Sequence, residues 1–340
     1  MRHESLRGQG LGAGSQDGDR PLSLRAGAQT LSLLWPYVRR WRGRFLLALA
    51  CMVAAKLAVV AVPIVLGRLV DGLAIDAAPM SAVLPVSLII AYGALRLSTS
   101  LLTELREFFF ARVTRAAERS LALRAFEHLH ALSLRFHLDR QTGALIRQID
   151  HGVRAVGSLV SFTLYSIVPT VIELALVMAY LLWHYEVYFA LIVGVSVLLY
   201  VVFTFSVTQW RTRFRREMNE LDAKASAQAM DSLLNFETVK YFNNAAYEAD
   251  RYDAALAEQE RAAIKTQQSL SALNAGQQLI VAVGLTLVLW RAAVGVQSGQ
   301  MSVGDLVLIN AFMMQLYAPL NFLGVIYRQI RQSVIDLERM

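Results

Sequence analysis

Phe45-Leu-Leu-Ala-Leu-Ala-Cys-Met-Val-Ala-Ala-Lys-Leu-Ala-Val-Val-Ala-Val-Pro-Ile-Val-Leu66 is an apolar run whose single charge is Lys56. At 1.5 Å per helical residue it spans roughly 33 Å, enough to cross a bilayer core of about 30 Å. Arg39, Arg40, Arg42 and Arg44 stand immediately before it. Five comparable spans follow: Val83–Leu102, Ala155–Trp183, Tyr188–Val207, Leu279–Val296 and Leu306–Tyr327. The fold class read from them is an all-α membrane protein with six transmembrane helices. The composition agrees, with 56% apolar residues and only 17% charged, where a soluble domain carries about 25%. Charged and nearly charge-free stretches alternate along the chain, which excludes a disordered polymer. The long uninterrupted runs exclude a β-barrel.

The net charge of +7 raises the question of nucleic acid, but the basic residues flank the spans, as membrane topology requires. No nucleic-acid partner is expected. Cys51 is the only cysteine and lies within a span, so it reads as a core thiol. Segments 67–82, 184–187 and 297–305 hold one Lys or Arg between them, Arg68, whereas segments 103–154 and 208–278 hold nine basic residues each. Both termini and both long connections are therefore placed on the cytoplasmic side, or on the matrix side in an organelle. Residues 1–30, rich in Gly, Ser, Arg and Asp, read as a disordered tail. Arg2, Arg7, Arg20 and Arg25 resemble a mitochondrial transit peptide faintly, but Asp17 and Asp19 argue against one. The bacterial inner membrane is the favoured location, with the mitochondrial inner membrane as the alternative.

The long connections do not read as loops. Segments 104–132 and 211–272 contain neither Pro nor Gly, and continuous helix broken by short turns is the economical reading. Each connection then forms a hairpin reaching ~40–50 Å into the cytoplasm at 1.5 Å per residue. The hairpin tips carry the most specific sequences in the chain, Leu132-Ser-Leu-Arg-Phe-His-Leu-Asp-Arg-Gln-Thr-Gly143 and Asp231-Ser-Leu-Leu-Asn-Phe-Glu-Thr-Val-Lys-Tyr-Phe-Asn243.

With six spans at this spacing, those tips resemble the membrane domain of ABC exporters, and more narrowly the mitochondrial and heavy-metal-tolerance half-transporters. The resemblance covers residues 31–340. It implies a homodimer of twelve transmembrane helices working by alternating access, with coupling helices at the tips docked on the chain's own and its partner's nucleotide-binding domains. Phe136 and His137 fall on the first coupling helix, and Asn235, Phe236 and Glu237 on the second. No Gly-x-x-x-x-Gly-Lys-Ser/Thr phosphate loop occurs in the sequence, nor does the Leu-Ser-Gly-Gly-Gln signature. The chain is therefore expected to be the membrane half of a longer polypeptide, without catalytic residues of its own. The ATP and Mg2+ of the resemblance would bind a domain missing here.

Cargo implied by the resemblance is a glutathione derivative: oxidised glutathione, or a glutathione–metal or glutathione–sulfur species. Such an anionic, peptide-like thiol needs fixed cations and amides near the inner membrane boundary. Arg211 and Arg215, four apart beyond the fourth span, share a helical face and could pair bidentately with carboxylates. Arg213 and Arg216 fall on other faces. A plain basic anchor is the rival reading. Asn274 and Gln277 share a face of the fifth helix and could either bind a peptide backbone or bond between helices. On the sixth helix Asn321, Gly324, Val325 and Arg328 make one stripe, with Phe322 beside it. Arg211, Arg215, Asn274 and Gln277 match ligand positions of the family. Asn321 stands where relatives have Asp, Phe322 and Val325 where methionines occur, and Ser161 where a tyrosine occurs, with Tyr165 one turn on placed to compensate.

His128 and His130, two apart, do not share a helical face and read as stalk residues rather than a metal site; no metal site is expected. Met313 and Met314 read as packing. Four ionisable residues lie within the spans, Lys56, Arg96, Glu173 and Arg291, and each should face protein or water. Lys56 and Glu173 lie at matching depth, about 15 Å below the outer surface at 1.5 Å per residue, and are expected to pair. The alternative class of function is a stand-alone channel or secondary transporter, and within ABC exporters a lipid, haem or peptide cargo.

Overall fold

The computed structural model describes residues 42–74, 83–139 and 142–339. The tail read over residues 1–30, together with Arg39, Arg40 and Arg140, lies outside them. All regular structure among the described residues is helical: α1 (Arg42–Ala74), α2 (Val83–Ala131), α3 (Leu134–Asp139), α4 (Thr142–Phe162), α5 (Val168–His184), α6 (Val187–Leu234), α7 (Phe236–Tyr241), α8 (Ala245–Gln297), α9 (Val303–Leu320) and α10 (Leu323–Arg339). Six membrane-crossing candidates are long and apolar enough among these residues. Helix is the local solution because a backbone without water must bond within its own segment. The same helices run on past the spans, so that α2 has 49 residues, α6 has 48 and α8 has 53. The stalks read from the Pro- and Gly-free segments are these extensions.

Two spans expected to be continuous are interrupted, each at a proline. In the third, a π turn over Thr163–Ile167 joins α4 to α5, whose first turn contains Pro169. Proline has no N–H to return to the preceding turn, and the wider π turn absorbs the mismatch. In the sixth, Pro319 closes α9, and Asn321 and Phe322 form a turn before α10. Pro63 lies inside α1 without ending it.

The chain forms two compact units. One comprises residues 49–106 and 163–328. Within it α6 and α8 lie side by side and pack extensively, around a core that includes Val177, Leu181, Phe189, Val193, Val288, Ile309 and Phe312. The end where α1 meets the start of α9 is tied by polar bonds. Asp71 accepts from the Ser302 hydroxyl and the Gly304 N–H, both at 2.7 Å, at the start of a helix capped by the reciprocal Ser302–Asp305 box. Gly304 permits this approach, since a Cβ there would lie 2.1 Å from the Gly67 carbonyl oxygen. The Tyr185 hydroxyl donates to Asp305 at 2.6 Å, and burial followed by that bond pushes its pKa up. Arg291 forms an ion pair with Glu186.

Deeper in this unit, the Lys56 ammonium meets Glu173 at 2.5 Å, and the Gln315 amide donates to the other carboxylate oxygen at 2.7 Å. The pairing expected from matched depth is present, with an amide the depth argument did not supply. By contrast, Val86, Ile89, Ile90, Leu97 and Leu101 on α2 are all exposed.

Among the described residues, the second unit comprises 42–48, 107–139, 142–162 and 329–339. Phe45 packs edge-on to Phe110 with centroids 5.6 Å apart. Gly157 lies against the Glu118 side chain, so close that a Cβ would fall 1.9 Å from its carboxylate. Glu118 in turn bonds Arg115.

Candidate functional site

Around the middle of α6, Tyr200, Thr204, Thr208, Arg211 and Arg215 follow one another at steps of three and four and so share one polar face. Its neighbours meet that face bond by bond. The Tyr200 hydroxyl donates to Asn321 Oδ1 at 2.6 Å. The Gln277 amide on α8 donates to Thr204 Oγ1 at 2.9 Å. Gly324 sits above the two threonines, where an added Cβ would lie 3.3 Å from Thr208 Oγ1. Arg211 Nε donates to Ser269 Oγ at 3.1 Å, and Ser269 donates onward to the Thr266 carbonyl at 2.6 Å. Arg328 and Arg215 are near enough to Arg211 to repel it electrostatically, and Arg215 acts likewise on Arg328. Three guanidinium groups thus gather beside a seam of hydroxyls and amides.

The predicted residues divide by environment. Gln277 and Gly324 are buried in the seam, whereas Asn274, Arg215, Asn321, Phe322 and Arg328 are exposed. Arg211 is half-buried. Asn321 and Phe322 occupy the turn between α9 and α10, so the interruption of the sixth helix falls on the candidate site. Tyr165 lies in the π turn with the Arg106 guanidinium 5.1 Å from its ring centroid. Ser161 is half-buried near the end of α4, in the other unit.

Tyr200, Thr204 and Ser269 were not singled out from the sequence. The signal was present: Ser196, Tyr200, Thr204 and Thr208 recur every fourth residue through a run otherwise made of Val, Leu and Phe save for Ser206. Polar side chains at that period inside a span mark a face that meets protein.

At the stalk tips, α3 and α7 are six-residue helices. His137 Nε2 donates to the Leu129 carbonyl at 3.0 Å and folds α3 back on α2. Asn235 precedes α7 and its amide donates to Asp231. Asn243, at φ 54°, takes the left-handed conformation that Asn tolerates and turns the chain into α8. Leu233, Leu234, Tyr241 and Phe242 are 71%, 77%, 86% and 65% exposed. That is a dense apolar surface on a segment too charged to enter lipid. Behind it lies a cavity of about 380 Å³ lined by Leu233, Phe236, Val239, Lys240 and Tyr252 among others.

The family described as ABC transporter transmembrane region matches residues 45–320. The chain is 43% identical over 312 residues to the mitochondrial iron-sulfur clusters transporter atm1 of Neurospora crassa, covering 90% of this chain and 43% of that protein. It is 43% identical over 320 residues to the mitochondrial iron-sulfur clusters transporter ABCB7 of Oryzias latipes, covering 91% and 43%. A solved structure of a bacterial Atm1-family ABC exporter with ATP bound superposes with a TM-score of 0.64 at 37% identity, over 88% of this chain and 53% of that one. The chain spans about half the length of these relatives.

Proposed function

The chain belongs to the ABC transporter transmembrane family, and we propose that it is the membrane half of an ATP-driven exporter carrying anionic glutathione derivatives outward by alternating access. The observation that carries the cargo class is the gathering of Arg211, Arg215 and Arg328 on the polar seam. Guanidinium groups bind carboxylates as bidentate pairs, fixing orientation as well as affinity. Asn274, Asn321 and Phe322, all exposed, would add amide and apolar contacts to a peptide, while the buried Gln277 and Gly324 would shape the seam behind them. Tyr165, in the same unit, completes the proposed set. Relatives named as iron-sulfur clusters transporters fit a sulfur-bearing cargo. A full-length protein lacking channel-like leak, but hydrolysing ATP on cargo addition, would exclude the stand-alone channel or secondary transporter.

ATP and Mg2+ do not fit this chain. It contains no phosphate loop, and no group of three or more His, Cys, Asp or Glu that could hold a metal occurs among the described residues. Nucleotide would be held by domains outside it. The exposed tips, with Phe136 and His137 on α3 and Asn235, Phe236 and Glu237 at α7, are the proposed docking surfaces for those domains, the chain's own and the partner's. The uncovered apolar face of α2 supports assembly with a second copy. This is a multi-pass membrane protein, and we place it in the bacterial inner membrane; the mitochondrial names of its relatives favour the inner mitochondrial membrane as the second reading, with the same side facing the nucleotide.

The deciding measurement is ATPase stimulation of the full-length dimer by oxidised glutathione. One charge-assisted bond contributes roughly 1.5–3 kcal/mol, so Arg211→Ala or Arg215→Ala should raise the half-saturating concentration about 10- to 150-fold. Unchanged half-saturation in both variants removes the assignment.

A further inference from the structure

Arg213 is the cation of this turn that the candidate site leaves out. It lies two residues from both Arg211 and Arg215, which on a helix turns it to the opposite side of α6. That side carries an apolar stripe: Tyr188, Leu191, Val195, Leu198 and Val202 recur at steps of three and four, each more than half exposed. At the same steps Ser206, Trp210 and Arg213 continue it past the end of the span. From Tyr188 to Trp210 is about 33 Å at 1.5 Å per residue. The two rings therefore stand at opposite boundaries of a bilayer core of about 30 Å, where amphipathic rings settle. Arg213 follows almost one turn later, at headgroup depth. Its surroundings are ordered by contacts. The guanidinium lies 5.5 Å from the Trp210 ring centroid and 4.6 Å from that of Phe214, and the two rings meet edge to face at 4.9 Å. The Thr266 hydroxyl of α8 donates to the Phe214 carbonyl at 3.2 Å, which holds this turn against its neighbour. Stacking on two rings orients the guanidinium without using its N–H groups. Arg213 makes no hydrogen bond or ion pair among the described residues, although Glu217 lies one turn on. Gln209 and Trp210 are exposed as well, so an amide and an indole N–H stand beside the guanidinium donors.

We propose that this turn of α6 is a binding site for an anionic phospholipid. Arg213 pairs with the phosphodiester, Gln209 and the Trp210 indole N–H add donors, and an acyl chain lies along Val202 and Leu198. The occupant is a lipid because the donors stand at the end of an exposed apolar stripe. It is anionic because the charge left without a partner there is positive, and the headgroup supplies the counter-charge that this chain does not. The inference is independent of the cargo reading and of Arg211, Arg215 and Arg328.

The test uses the full-length protein with Trp210 as its sole tryptophan. It is placed in vesicles mixing phosphatidylcholine and phosphatidylglycerol, with bromine on the acyl chains of one lipid or the other. Bromine quenches indole fluorescence on contact, so the two quenching curves give the relative affinity of the two headgroups at this turn. Phosphatidylglycerol should be favoured about five-fold, the worth of one basic residue at an anionic surface. Arg213→Gln should bring the ratio near one. Arg213→Lys keeps the charge but not the planar stack and should fall between. Both lipids are read on the same protein, so a general loss of stability does not move the ratio. A second measurement spares the other tryptophans: the relative association of spin-labelled phosphatidylglycerol and phosphatidylcholine should fall likewise on Arg213→Gln. Equal quenching by the two lipids, or a preference unaltered by Arg213→Gln, overturns the proposal. So does an absence of quenching by either lipid, the result expected if a second copy covers the stripe. Displacement of phosphatidylglycerol by inorganic phosphate would make this a site for a soluble anion and would overturn it too.

Discussion

Removing one partner of the Lys56–Glu173 pair should cost unequal amounts depending on which is removed. Glu173 is 4% exposed, and its oxygens are taken by Lys56 at 2.5 Å and Gln315 at 2.7 Å. Lys56→Met leaves that carboxylate in a dry interior with a single neutral donor, a loss of about 3–5 kcal/mol for a broken buried pair. The reverse change is milder, because the Lys56 side chain keeps 21% exposure and its ammonium can reach toward water. Glu173→Leu should accordingly cost roughly 1–3 kcal/mol. With both replaced no charge is stranded, and the double variant should lie within about 2 kcal/mol of wild type, a coupling of at least ~2 kcal/mol. Lys56→Glu with Glu173→Lys should also regain part of the loss, though not all, since it moves the ammonium into the drier position. The assay is reversible denaturant unfolding of the protein in mixed micelles, followed by circular dichroism across the four-member cycle. Single losses that are equal and add to within ~0.5 kcal/mol would show that the two groups do not interact.

Two further outcomes follow from the same coordinates. Gly304→Ala should loosen the end where α1 meets α9, because the added methyl would fall 2.1 Å from the Gly67 carbonyl and 2.5 Å from Asp71; a loss of about 1–3 kcal/mol is expected in the same unfolding assay, as for overpacking elsewhere. Phe236→Asp, on a side chain 53% exposed at α7, should leave ligand binding intact while transport per ATP hydrolysed in proteoliposomes falls by roughly ten-fold or more, as for loss of an aromatic docking residue; unaltered stoichiometry would mean that the tip is not a docking surface.

Sequence by itself determined the six crossings and the stalks. These depend on run length and on the absence of Pro and Gly, both of which are local along the chain. It also located the cation cluster, since Arg211 and Arg215 are four apart on one helix, and it paired Lys56 with Glu173 by depth alone, because one charge in lipid demands another. Tertiary structure decided what each polar group does. Gln277 and Asn321 could equally have bound a ligand or bonded a neighbouring helix, and only the approach of α6 shows the Gln277 NH2 and the Asn321 oxygen already engaged by Thr204 and Tyr200. Gln315 joining Glu173, and Asp71 receiving the start of α9, are contacts between residues 142 and more than 230 apart in the chain. No periodicity encodes such partners, because a hydrogen bond is set by where two helices cross and the crossing is set by packing of the whole unit.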